Sequence, residues 1–149
     1  MIRLATEEDI PRIVELYREL ALSTSQVELR RSPSSDDYRR VFAEICASPG
    51  HELLVAEYQG DIVGAMVLVI VPNLSHGACP WAVVENLVID HRHRRRGFGR
   101  LLVDYAIARA KETGCYRIVL TSDKRRREAH RFYRALGFDA SAHGFRLYF

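Results

Sequence analysis

Apolar residues along the 149-residue chain fall into short alternating or continuous runs, separated by longer stretches in which they recur every three to four positions. That pattern interleaves strands with amphipathic helices. Ile2–Ala5 reads as a short strand, and Ile10, Ile13, Val14, Tyr17 and Leu20 then share one helical face, with Thr6 or Asp9 as N-cap. Pro11 suits the first turn, where its missing N–H breaks no helical bond. Residues 23–36, rich in Ser and containing Pro33, predict a mobile connection. Tyr38, Val41, Phe42 and Ile45 mark a second helix, ended by Pro49-Gly50. Glu52–Tyr58 and Ile62–Val71 flank Gln59-Gly60-Asp61 as an antiparallel hairpin, and Trp81–Asp90 supplies a third strand. Pro72–Pro80 between them lacks the periodicity of an element. A helix from about Gly99 carries Leu101, Leu102, Tyr105, Ala106 and Ala110 on one side and stops at Gly114. Tyr116–Thr121 is strand-like, a further helix ends at Gly137, and Gly144–Phe149 alternates as a closing strand. The order β-α-α-β-β-β-α-β-α-β predicts a single α/β domain over residues 1–149, built around a mixed sheet.

Composition narrows the class. With 48% hydrophobic and 28% charged residues, and no apolar run long enough to cross a bilayer, the chain predicts a soluble protein without a membrane partner. Its N-terminus turns acidic where a signal peptide needs an apolar core, so the expected location is cytoplasmic. Cys46, Cys79 and Cys115 are isolated and odd in number, which predicts buried or inert thiols, no disulfide framework and no metal site. The net charge of +3 is modest, but the positive residues bunch at 92–100 and 124–127.

The first cluster contains the main candidate chemistry. His93-Arg94-Arg95-Arg96-Gly97-Phe98-Gly99-Arg100-Leu101 joins a strand to a helix. Glycines there let the backbone approach an anion, and the unpaired N–H groups of the helix start supply donors and partial positive charge. The segment reads as a phosphate cradle. A dinucleotide fingerprint needs a small residue where Leu102 stands and an acid about twenty residues on, and a P-loop needs Lys and then Ser or Thr where Arg100-Leu101 stand. Both are excluded.

Arg94-x-x-Gly97-x-Gly99 after Asn86-Leu87-Val88-Ile89-Asp90 resembles the signature of the GNAT superfamily of acyl-coenzyme A-dependent acetyltransferases. Ala129-His130-Arg131-Phe132-Tyr133-Arg134-Ala135-Leu136-Gly137-Phe138 is similar to that family's later A-x-x-F-Y-x-x-L-G-F segment, in the right order and at the right spacing. The resemblance is sharpest over residues 81–138. One departure is Arg126, where many members carry Asn. The resemblance implies that the strands at 81–90 and 116–121 splay apart and that pantetheine pairs with the backbone of Leu87, Val88 and Ile89. It also implies that the pyrophosphate sits on Arg94, Arg95, Arg96, Gly97, Phe98, Gly99 and Arg100, and that the region from 23 to the second helix shapes the acceptor pocket.

On this reading acetyl-coenzyme A is the acetyl donor and the primary amine of a small molecule attacks its thioester directly. A backbone N–H around Leu87–Ile89 polarises the carbonyl. Tyr133 is the candidate acid for the leaving thiolate; its aromatic neighbours also suit core packing. Glu85 is the candidate base, directly or through water, and simple alternation puts it on one face with Leu87 and Ile89. The bulge common at this strand in the family would upset that count. An acid facing solvent or holding an arginine is the plainer reading of Glu85. His76 is the reserve base, and His130 is read as structural. Lys124–Arg127 could touch a 3′-phosphate, attract an anionic acceptor or face water. Within the enzyme class, residues 121–133 also look like aminoalkylphosphonate N-acetyltransferases, and a peptide acceptor stays open. The competing classes are a non-catalytic acyl-coenzyme A-binding regulator and a nucleic-acid module using both basic clusters; the coincidence of arginines with glycines favours coenzyme A, and no nucleic-acid partner is expected. A homodimer is compatible with the chain.

Overall fold

The computed structural model describes residues 1–20 and 31–149, which form two compact units, Met1–Val119 and Leu120–Phe149. Residues 21–30, part of the connection expected to be mobile, lie outside the described residues.

In the first unit the alternating runs become a meander. β1 (Ile2–Leu4) pairs antiparallel with β2 (His51–Tyr58), placing Ile2 opposite Ala56. β2 turns through Gln59 and Gly60, at φ of 54° and 87°, into β3 (Asp61–Val71), the two-left-handed-residue turn that suits strand twist. β4 (Trp81–Ile89) runs antiparallel to β3, with Trp81 opposite Val71 and Ile89 opposite Gly64. β5 (Ile118–Leu120) completes the order β1-β2-β3-β4-β5 and is shorter than the strand-like run at 116–121. Its connection to β4 has a parallel sense: Tyr116 N–H donates to Pro80 C=O (3.0 Å) and Ala82 N–H to Arg117 C=O (2.9 Å). The sheet is therefore mixed, as predicted.

Helices cover both faces. α1 (Ile10–Tyr17) follows a 3-10 turn, Glu7–Asp9, and gives way to another at Arg18–Leu20, so the predicted helix changes pitch before its expected end. Its Ile13 and Leu16 pack with Leu53, Val55, Ala65, Val67 and Val88. α2 (Ser35–Ala47) starts at Ser34, whose hydroxyl accepts from Asp37 N–H (3.2 Å), and lays Phe42 and Ile45 against the same cluster. α3 (Phe98–Glu112) buries Leu102, Val103, Ala106 and Ala110. Strand alternation directs Leu54 and Ala56 to its side of the sheet. Gly64 marks the closest approach: a Cβ there would lie 2.5 Å from Ile89 Cδ1, 3.0 Å from Val88 O and 3.5 Å from Leu102 Cδ1.

Between β3 and β4, Ser75–Ala78 makes a short helical turn in which His76, Gly77 and Ala78 all take positive φ. In the second unit, α4 (Arg127–Ala135) ends before left-handed Gly137. The closing strand expected at Gly144–Phe149 does not form; residues 138–149 contain no helix or strand, and Phe145, Leu147 and Phe149 are exposed. Alternation says which face a strand would bury, but a strand also requires a partner edge. Of the two alternatives expected for the cysteines, full burial does not hold: Cys46 is exposed, and Cys79 and Cys115 are half-buried. Among the described residues no helix is long and apolar enough to cross a membrane.

Candidate active site

A bulge in β4 organises the site. Pairing runs from Val71–Trp81 to Val67–Glu85, then slips by one residue and resumes as Ala65–Val88 and Gly64–Ile89. The extra residue lies at Asn86–Leu87, and Asn86 has φ 53°, a conformation that Asn tolerates better than most residues. Tyr17 of α1 hydrogen-bonds the Asn86 side chain; burial pushes that phenol up to about 12, with the Asn86 bond pulling the other way.

The slip changes which backbone groups face outward. Ahead of it, Ala82 turns its N–H toward β5. After it, Asp90 N–H donates to Val63 C=O (2.9 Å), so alternation turns the polar groups of Val88 toward β3 and those of Leu87 and Ile89 away from it. β5 starts beside Pro80–Ala82, is only three residues long and runs parallel to β4, so it ends at Leu120 before the register reaches Leu87 and Ile89. The edge at Leu87 and Ile89 is thus left open, with the Ile89 carbonyl accepting from Arg94 Nε (3.1 Å). Glu85 also moves: opposite Val67, it shares the face of Val88 and α1, not that of Leu87 and Ile89 as simple alternation predicts. Its side chain is exposed, and no hydrogen bond or ion pair holds it among the described residues.

Beyond β4 the chain turns through a 3-10 segment, His91–His93, into the predicted cradle. Arg95 (φ 63°) and Gly97 (φ 90°) are both left-handed, and Gly97 caps α3. Alternating handedness of this kind makes a concave set of N–H groups. Leu101 N–H is the first to find a helical acceptor, Gly97 C=O (3.0 Å), leaving those of Phe98, Gly99 and Arg100 available at the positive end of a 15-residue helix. This backbone fits a pyrophosphate.

Side chains divide the predicted arginines. Arg94 bonds Glu19 (2.8 Å), Arg96 stacks over Tyr58 (4.7 Å to the ring centroid) and Arg100 lies 3.4 Å from Asp104; Arg95 is exposed. Phe98 is buried against Tyr58 and His93, so only its backbone is available to a ligand. His76 is stacked on Tyr116 (4.1 Å between centroids) and bonded to Ser75 Oγ (2.9 Å). In the second unit, half-buried Tyr133 meets Phe132 and Phe138 edge-on, and His130 Nε2 lies 2.9 Å from Asp123 C=O.

The turn before the cradle is anchored by Asp90, a fully buried carboxylate absent from the sequence-based site. It accepts from Arg92 N–H (2.8 Å) and is paired with the guanidinium groups of Arg92 and Arg12. The Arg92 side chain, outweighing burial and aided by the Arg92 N–H and Arg12, holds its carboxyl well below the usual range. Glu19, Asp90 and His91 lie close enough to ligate a metal. Their carboxylates, however, are committed to arginine and N–H donors, which disfavour a cation. A cleft of about 510 Å³ opens beside this network, lined by Arg12, Glu15, Asp61 and His93 among others, and contains neither Glu85, Tyr133, Leu87–Ile89 nor residues 94–100.

The model of the acetyltransferase (GNAT) family matches residues 11–138. A glucosamine 6-phosphate N-acetyltransferase of Trypanosoma brucei brucei is 27% identical over 149 residues, covering 98% of this chain and 93% of that one. A solved structure of an Agrobacterium tumefaciens str. C58 protein, described as an acetyltransferase, is 34% identical with a TM-score of 0.88 and covers 99% of each chain. Another, of a Bacillus halodurans C-125 protein described as a transcriptional regulator, is 37% identical with a TM-score of 0.87, covering 100% of this chain and 99% of that one.

Proposed function

We propose, for a chain that belongs to the GNAT acetyltransferase family and is an acyltransferase, that it moves an acetyl group from acetyl-coenzyme A to the primary amine of a small molecule. The observation that carries this reading is the pairing of an open backbone edge at Leu87 and Ile89 with the concave N–H set at 95–100, two segments of one continuous strand–turn–helix. Acetyl-coenzyme A supplies a thioester whose acyl carbon the uncharged amine attacks as the C–S bond breaks.

The chain's residues take up the remaining tasks. N–H groups of Phe98, Gly99 and Arg100 hold the pyrophosphate, with Arg95 adding charge. Leu87 and Ile89 fix pantetheine and offer an N–H to the thioester oxygen. Glu85, unpaired and exposed, takes the amine proton through water. Tyr133 donates to the departing sulfur, a role assigned from its place in the Ala129–Phe138 motif. Positioning of the two reactants supplies the largest share, about 7–11 kcal/mol of barrier lowering at best.

The Bacillus halodurans relative gives a second reading, a coenzyme A-binding regulator without turnover. Thiol release from acetyl-coenzyme A against a panel of primary amines, including amino sugar phosphates, aminoalkylphosphonates and short peptides, separates the two. Amine-dependent release identifies the enzyme and its acceptor class. Binding of coenzyme A with no release from any amine identifies the regulator.

A further inference from the structure

Three donors converge on Glu19, in the 3-10 turn after α1. Arg94 Nη2 bonds its Oε2 at 2.8 Å, His91 N–H donates to the same oxygen at 3.0 Å, and His91 Nδ1 lies 3.3 Å from Oε1. Arg94 Nε meanwhile bonds Ile89 C=O (3.1 Å). One guanidinium therefore ties the end of β4 to the turn that follows it, and one carboxylate ties both to a segment 75 residues earlier in the chain. Asp90 fixes the same turn from inside, but the bonds its carboxylate accepts come from Arg92 and Arg12, and the one its carbonyl accepts comes from His93, so all stop short of residue 94. Arg94 immediately precedes Arg95, whose φ of 63° is costly for any residue with a Cβ and persists only where its surroundings hold it.

We infer that Glu19 is a positioning residue for the cofactor loop: through Arg94 it sets the left-handed turn at 95–97 and so aligns the N–H groups that receive the pyrophosphate. The inference rests on the loop placement proposed above. It also reassigns the leading arginine of the signature, whose side chain serves as a strut between Glu19 and Ile89 and not as a phosphate ligand. The two roles predict opposite signs. If Arg94 bound phosphate directly, removing Glu19 would free the guanidinium, delete a nearby negative charge and leave coenzyme A affinity equal or higher. If Glu19 positions the loop, its removal weakens binding.

Calorimetric titration of free coenzyme A into wild type, Glu19→Ala, Glu19→Gln, Arg94→Ala and the double alanine variant decides between them. Positioning predicts a rise in Kd of about three- to tenfold for Glu19→Ala, partial rescue by Glu19→Gln, and a double variant no worse than Arg94→Ala alone. The kcat at saturating acetyl-coenzyme A should stay within about twofold, because the loop acts on binding and not on the reacting atoms. Amide exchange of the unliganded protein supplies an arm independent of function: the hydrogen-bonded amides of His93 and Leu101, which flank the turn, should exchange faster in Glu19→Ala, while α3 beyond its first turn keeps its protection. Unchanged or tighter coenzyme A binding by folded Glu19→Ala would overturn the inference. Wild-type protein that binds no coenzyme A would instead overturn the cofactor reading, with the exchange arm still deciding whether Glu19 orders the turn.

Discussion

Asp90 shows how one side chain joins stability to the site. It caps the turn leading into the loop before α3 while neutralising Arg12, which is itself largely covered. Asp90→Asn keeps the shape and removes the charge, and should cost about 2–3 kcal/mol at neutral pH by leaving the guanidinium groups poorly paired. Because its folded carboxyl titrates below the unfolded value, the contribution is fully present above about pH 4 and fades as pH falls through the depressed value. Urea unfolding at pH 7 and pH 3 should therefore show the gap between wild type and Asp90→Asn shrinking in acid; an equal gap at both would assign it to packing. Glu85→Gln removes proton affinity at an exposed, unpaired position, so the rising limb of the pH–rate profile for one amine should flatten or shift. An unchanged profile would leave the proton to water. Tyr133→Phe should lower kcat by about tenfold to a hundredfold, with Kd for acetyl-coenzyme A unchanged, if the hydroxyl protonates the thiolate. Turnover equal to wild type would reject the acid role.

Elements carry the distinction between what the sequence made legible and what it did not. The helices, the hairpin and the loop before α3 follow from local periodicity and glycine placement, and all appear near their expected bounds. The slip at Asn86 depends on pairing with β3, and it alone moved Glu85 to the other face and turned the backbone groups of Leu87 and Ile89, in place of those of Val88, away from β3. An Asn inside an apolar strand run was its one local sign. The links from Arg94 to Glu19 and from Arg96 to Tyr58 span 75 and 38 residues of sequence, beyond the reach of a motif. The absent strand at 144–149 is the same lesson reversed, since a local pattern there finds no partner edge. Gly97 tests the element most sharply. A Cβ there meets nothing within 4 Å, so a Gly97→Val variant should fold; its φ of 90° is what valine resists, at about 1–3 kcal/mol. The turn should relax and coenzyme A affinity fall by about tenfold or more by calorimetry, whereas retained affinity would move the phosphate elsewhere.

For the whole molecule, family membership makes the chain an acyltransferase, and the surface charge supports an anionic donor: a net charge of +3 with its basic residues bunched where α3 begins. The open strand edge and the left-handed turn before α3 lie in the unit Met1–Val119, and the motif tyrosine lies in the unit Leu120–Phe149. The central claim is direct transfer from acetyl-coenzyme A to an amine, and the most direct test follows the acetyl group itself. The protein is incubated with acetyl-coenzyme A labelled in the acetyl carbons, first alone and then with the best amine of the panel, and the masses of protein and amine are read together with thiol release. Direct transfer predicts unlabelled protein in both incubations, with label on the amine in a one-to-one ratio to released thiol. Label accumulating on a cysteine, or bound coenzyme A with no labelled amine, would contradict it.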